Sequence, residues 1–163
     1  MSFVFWLPAL CGTLHVTEEF FWPGGFPEWF RAYRPENRLS FTRGFAIAIN
    51  GLMLAVAGVL GWMGPEWSRG LSMWLILATI LGANAFLHII GTWRTRRYSP
   101  GLITGVLLNL PLCIWGFWHF LGNGDASFQL AATSLALGVS FDFWSNLTHR
   151  ARSTLIERNA RSR

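Results

Sequence analysis

The chain has 163 residues, of which 52% are hydrophobic, 16% aromatic and only 13% charged, with a mean hydropathy of +0.36. A soluble domain carries roughly a quarter charged residues, so this composition argues against a water-soluble globule and for one small polytopic membrane domain. The net charge of +5 arises without lysine: all 13 basic residues are arginines. They occupy the gaps between apolar runs rather than one folded face, which points to membrane topology and not to nucleic acid.

Five apolar stretches of about twenty residues, the length a bilayer requires, are predicted as helices at residues 3–21, 44–63, 71–92, 101–121 and 127–147. The first lacks a basic leader and a small-residue cleavage site and contains His15, Glu18 and Glu19, so it reads as a retained helix and not a signal peptide. Pro23-Gly24-Gly25 with Pro27 stops it. Gly64-Pro65 stops the second helix, Ser99-Pro100-Gly101 separates the third from the fourth, and Gly122-Asn123-Gly124-Asp125 ends the fourth. Cys11 and Cys113 lie inside these runs and offer neither a disulfide framework nor a metal-type spacing.

The expected fold is therefore an all-α membrane protein, a bundle of five transmembrane helices in residues 1–150, with a basic cytoplasmic tail at 151–163. Arginines set its orientation, because cytoplasmic loops carry the Lys/Arg excess. Arg31, Arg34, Arg38 and Arg43 follow the first span, Arg94, Arg96 and Arg97 the third, and Arg150, Arg152, Arg158, Arg161 and Arg163 the fifth. Only Arg69 falls in the opposite loops. The N-terminus is thus expected outside and the C-terminus in the cytoplasm of a multi-pass inner-membrane protein. Trp22, Trp29, Trp93 and Trp144 would ring the cytoplasmic interface, and Trp6, Trp62, Trp67, Trp74, Trp115 and Trp118 the outer one.

With that orientation, polar residues of four spans fall at one depth: His15, Glu18 and Glu19; Asn50; Asn84 and His88; Asp142 and Asn146. Residues three and four apart share a helix face, so His15, Glu18 and Glu19 project together, as do Asn84 with His88 and Asp142 with Asn146 and His149. Imidazoles, carboxylates and amides gathered inside a bundle make a metal or acid/base site. Glu18 and Glu19 stand at the unfavourable end of the helix dipole, with Phe20, Phe21 and Trp22 still to follow, which weighs against the alternative that they merely mark the water boundary. His119 is expected at the outer interface and His149 solvated at the cytoplasmic mouth. Asn109 would either line the cavity or bond a neighbouring helix.

His15-Val16-Thr17-Glu18-Glu19 resembles the signature of the HXXEE family of small integral membrane proteins. Phe26-Pro27-Glu28-Trp29, Asn50, Asn84-Ala85-Phe86-Leu87-His88 and Arg97-Tyr98-Ser99-Pro100-Gly101 follow in the order of that family's motifs, from about residue 10 to 112. The resemblance supports the site more than any particular reaction.

Counting ligands favours one metal over two, since a di-iron bundle uses two Glu-x-x-His pairs and two further glutamates. Two histidines and one carboxylate match the facial triad of non-haem iron and the His₂Glu set of catalytic zinc. The leading expectation is that His15, His88 and Glu18 or Glu19 bind one divalent metal, iron or zinc. The other glutamate would act as general base or orienting group, with Asp142 assisting and Asn50 and Asn84 completing the surroundings. The enzyme would be of oxidoreductase or hydrolase type, acting on a membrane lipid or another hydrophobic small molecule. Homo-oligomerisation is left open. The competing readings are a metal-free acid/base isomerase of a lipid or isoprenoid and an ion or proton carrier, against which the lack of a repeat counts mildly.

Overall fold

Pro8 is accommodated at the start of the first helix because a missing N–H costs nothing among the unpaired donors of a first turn. In the computed structural model, which describes residues 2–161, a 3₁₀ turn, Ser2–Trp6, leads into helix α1, Leu7–Phe20. The Phe21 and Trp22 amides bond back to the Thr17 carbonyl at 2.9 and 3.0 Å, and the Gly24 amide bonds to Glu18 O at 3.0 Å. The break expected at Pro23-Gly24-Gly25 is therefore present. It is followed at once by a short helix that periodicity did not reveal, α2, Phe26–Tyr33, entered through Gly25 at φ 89°.

Helix α3, Arg43–Met63, is capped by Thr42, whose hydroxyl accepts from the Phe45 amide at 3.1 Å. Helix α4 is Gly70–Thr95. Helix α5, Leu102–Gly122, carries a π-helical turn at Gly105–Asn109. Pro111 supplies the cause: it cannot donate to Leu107 O and crowds it, and a wider turn just ahead absorbs the conflict. Helix α6, Phe128–Arg161, runs without a break through most of the segment expected as a tail. The described residues contain no strand. Three segments are long and apolar enough to cross a membrane, Arg43–Glu66, Gly70–Thr95 and Leu102–Gly122.

Helix α4 is the central post. Its neighbours approach closely where they present glycine: a Cβ at Gly116 would lie 2.0 Å from Trp74, and one at Gly138 2.4 Å from Thr79. Small residues at such crossings replace the hydrophobic drive that lipid does not supply. Trp74, expected in an interfacial belt, is instead fully buried, with its indole N–H donated to the Val4 carbonyl at 2.8 Å. Trp22, Trp93 and Trp144 are exposed as expected. Around Trp74, Leu60 and Leu75 lies the main core, and a second, aromatic cluster of Phe26, Phe30 and Phe41 lies towards the arginine-rich end. The polar site sits against the second cluster.

Candidate metal centre

On α1, His15 and Glu19 are one turn apart and face α4, which brings His88 to the same point. Glu19 Oε1 lies 3.4 Å from His15 Nε2 and 3.3 Å from His88 Nε2. One ligand atom from each of the three residues falls within 4.8 Å of the others, and all three side chains are buried. Ligands each about 2.1 Å from a tetrahedral ion lie about 3.4 Å apart, so the carboxylate-to-imidazole separations would admit one. His88 Nε2 is buried and makes no well-aligned hydrogen bond, although Glu19 Oε1 lies 3.3 Å away. A buried polar atom left without a partner costs about 1–3 kcal/mol, and a cation between the three groups would remove that cost.

The far side of each ring is held. His15 Nδ1 lies 2.9 Å from the Thr104 hydroxyl, and that hydroxyl also lies 2.5 Å from Glu18 Oε2. A hydroxyl has one proton. An ionised Glu18 takes it, so Thr104 accepts from His15 Nδ1–H and the Nε2 lone pair faces the cluster. His88 Nδ1 lies 2.8 Å from the Ser99 hydroxyl, and Ser99 is anchored by its amide donating to Thr92 Oγ1 at 3.1 Å. Such outer partners fix the ring tautomer and orientation in metal sites.

Glu18, which the motif places beside Glu19, goes elsewhere. Its carboxylate accepts from the Ile103 amide at 3.0 Å, the Thr104 amide at 2.7 Å, the Thr104 hydroxyl and the Tyr98 hydroxyl. Those two amides are among the four free donors that open α5, so Glu18 caps a neighbouring helix and meets the positive end of its dipole. Burial, followed by the bond to Glu18, pushes the Tyr98 phenol above its usual range and keeps it a donor.

Gly101 was legible only as a turn residue, but it makes the room. At φ 103°, a Cβ there would lie 2.6 Å from His88 Cε1 and 2.8 Å from both His15 Cε1 and His88 Nε2. Thr104, Ser99 and Gly101 were missed because no periodic signal marks a hydroxyl or a glycine as an outer partner. From the arginine-rich side α2 covers the cluster, with Phe26 and Trp29 ring centroids 5.2 and 6.3 Å from that of His88.

Of the other expected residues, Asn84 joins the cluster, its Nδ2 lying 2.9 Å from His15 Nε2. Asn50 donates to its own helix at Ala46 O, 3.0 Å, and lines a cavity with His15 and Glu19. Asp142 and Asn146 line the same cavity outside the three-residue cluster, and Asn146 Oδ1 accepts from Asn37 Nδ2 at 2.8 Å. His149 corrects its expected solvation: it is buried, 2.6 Å from the Ser40 hydroxyl, between Phe41 and Phe45. Burial, and then Arg152, hold its imidazole below the usual range. His119 stacks on Trp115 at 4.7 Å, away from the cluster. Asn109 is fully buried, and neither atom of its amide has a partner.

A helical protein with membrane-length segments around a buried pair of histidines and one carboxylate is the class defined by this fold and site. The chain belongs to the HXXEE family, described as proteins of unknown function with an HXXEE motif, which it matches over residues 6–116. It is similar to the uncharacterized protein YrkK of Bacillus subtilis (strain 168), with 31% identity over 134 residues, covering 78% of this chain and 81% of the relative. No solved structure matches.

Proposed function

We propose that His15, Glu19 and His88 bind one divalent metal, iron or zinc, in a membrane-embedded enzyme of oxidoreductase or hydrolase type acting on a hydrophobic, lipid-like substrate. The observation that carries this reading is the buried convergence of one ligand atom each from His15, Glu19 and His88, with carboxylate-to-imidazole separations of 3.4 and 3.3 Å. A three-ligand ion with open positions would supply Lewis acidity or redox chemistry. Thr104 and Ser99 orient the imidazoles, Asn84 presents its amide to the open side, and Glu18 holds the start of α5 in place. The adjoining cavity is walled mainly by phenylalanine and aliphatic side chains, which favours an apolar substrate.

A five-span arrangement in the inner membrane, N-terminus outside, fits this reading. The Ser2–Trp6 turn and α1 together span about 31 Å at 3₁₀ and α-helical rises, close to a hydrocarbon core. Helix α6 at about 51 Å is long enough to cross and continue into the cytoplasm.

Metal analysis of protein purified after growth with iron and zinc tests the centre. About one ion per chain is expected in the wild type, with loss in His15→Ala and His88→Ala. A wild type that binds neither metal, or one that keeps its activity after complete removal, overturns the proposal. The Asn84 amide beside His15 Nε2 favours a second reading, a metal-free acid/base isomerase with Glu19 as the proton carrier, and full activity in chelator-treated protein selects it.

A further inference from the structure

The cavity beside the cluster is also lined by a charged pair outside the cluster. Besides His15, Glu19 and Asn84 it is lined by Arg34 and Asp142, by the neutral polar groups of Asn50, Ser145 and Asn146, and by apolar walls that include Phe26, Phe30, Phe41 and Phe45. Its volume of about 140 Å³ is near that of a dry cavity that takes one benzene. Among the described residues the side chains of Arg34 and Asp142 make no hydrogen bond and no ion pair, while the Arg34 backbone amide donates to Phe30 O at 2.8 Å. The Arg34 guanidinium rests 5.7 and 5.6 Å from the Phe30 and Tyr33 ring centroids.

The same two residues, with Leu87, also line an outer groove of about 370 Å³ between α4, α5 and α6. That groove is apolar apart from Arg34, Asp142 and Thr79, and it opens among the exposed Phe86, Ile90, Leu135 and Val139. Arg34 and Asp142 therefore stand where an apolar groove on the outside of the bundle meets a ring-sized, phenylalanine-walled cavity.

We infer that this junction selects a lipid with a hydroxyl-bearing aromatic head, a phenol or quinol. The ring occupies the cavity, the tail lies in the groove, and a head hydroxyl donates to Asp142 and accepts from Arg34. The inference deepens the proposed function by naming the substrate class. An uncharged head follows from the pairing: a carboxylate would meet Asp142, and an ammonium would meet Arg34, each at the cost of burying unbalanced charge. A hydroxyl satisfies both groups at once. An aromatic ring also suits edge and face contact with four phenylalanines.

The test is binding of four probes with one common tail, para-dodecylphenol, para-dodecylbenzoate, para-dodecylbenzylamine and dodecanol, to the full chain in nanodiscs, read by native mass spectrometry. The phenol is expected to bind one per chain and about tenfold tighter than the benzoate and the benzylamine, the scale of one hydrogen bond to a charged group, and about tenfold tighter than dodecanol, which lacks the ring contacts. Asp142→Asn should turn the preference to the benzoate and Arg34→Met to the benzylamine, so the two variants check each other should one fail to fold. Leu135→Trp, which fills the groove, should weaken all four. Equal binding of dodecanol and the phenol, a wild-type preference for either charged probe, or an unchanged order in both charge variants overturns the inference. Chelator-treated protein separates this from the metal proposal. Phenol selectivity without metal uptake refutes only the metal centre; metal uptake without phenol selectivity refutes only the head-group site.

Discussion

Glu18 sets the protonation of His15 through a single hydroxyl. Thr104 Oγ1 lies 2.5 Å from Glu18 Oε2 and 2.9 Å from His15 Nδ1, and because its one proton goes to the carboxylate, the imidazole must donate at Nδ1 and offer Nε2 to the cluster. The first and fourth letters of the family's motif are thus joined by a residue from a different helix, 86 positions from Glu18.

Thr104→Val keeps the side-chain shape and removes that link. Metal affinity is expected to fall about 10–100-fold, the usual cost of losing an outer partner of a ligating histidine, while Thr104→Ser retains it. Competition titration with a chromophoric chelator measures both, and equal affinity in Thr104→Val and wild type would show that the hydroxyl does not act on the site.

The two adjacent glutamates should fail in different ways. Glu18→Gln weakens four hydrogen bonds to a charged acceptor and the dipole contact at α5, so it should cost at least about 1.5–3 kcal/mol, the worth of one such bond, while metal still binds at low temperature. Glu19→Gln should abolish metal binding and leave the unfolding free energy of the metal-free protein within about 0.5 kcal/mol of wild type or above it, since it removes a buried charge. Paired melting curves and metal contents decide; the same pattern for both variants contradicts the division of roles.

Gly101→Ala places a methyl group 2.6–2.8 Å from both imidazoles and imposes a left-handed backbone on a residue with a Cβ. Loss of metal together with a destabilisation of about 1–3 kcal/mol is expected. A variant that still loads one ion per chain would show that the glycine does not reserve the space.

His149 gives a pH signature at the arginine-rich end. Burial, then Arg152, lower its affinity for a proton in the folded chain, so the unfolded state binds more protons and stability rises with pH. Its contribution is complete above the ordinary imidazole range and is lost as pH falls from about 6.5. Melting temperatures compared between about pH 8 and about pH 5 should fall more for wild type than for His149→Gln. Equal slopes would place the titrating group elsewhere.

Much of this was legible in the chain. The helix expected at 44–63 is Arg43–Met63 and that at 71–92 lies within Gly70–Thr95, because long apolar runs ending at Gly64-Pro65 and near Pro100 leave little freedom. Depth and helical spacing grouped His15, Glu18, Glu19, Asn50, Asn84, His88, Asp142 and Asn146, and of these His15, Glu19, Asn84 and His88 meet at one point. Helix α2 escaped notice because eight residues with two prolines nearby carry too short a period, and its phenylalanines matter only once they pack over His88.

The sequence by itself determined that the chain is helical and apolar, where its long helices break, and which polar groups share a face, since the period of a helix is fixed by backbone geometry. Only the tertiary structure decided which of two neighbouring carboxylates meets the histidines. Glu18 and Glu19 differ by about 100° around α1, a small rotation, and what lies at each angle is supplied by α4 and the start of α5. Packing set Glu18 against the free amides of α5, which need an acceptor, and set Glu19 beside the imidazoles of His15 and His88.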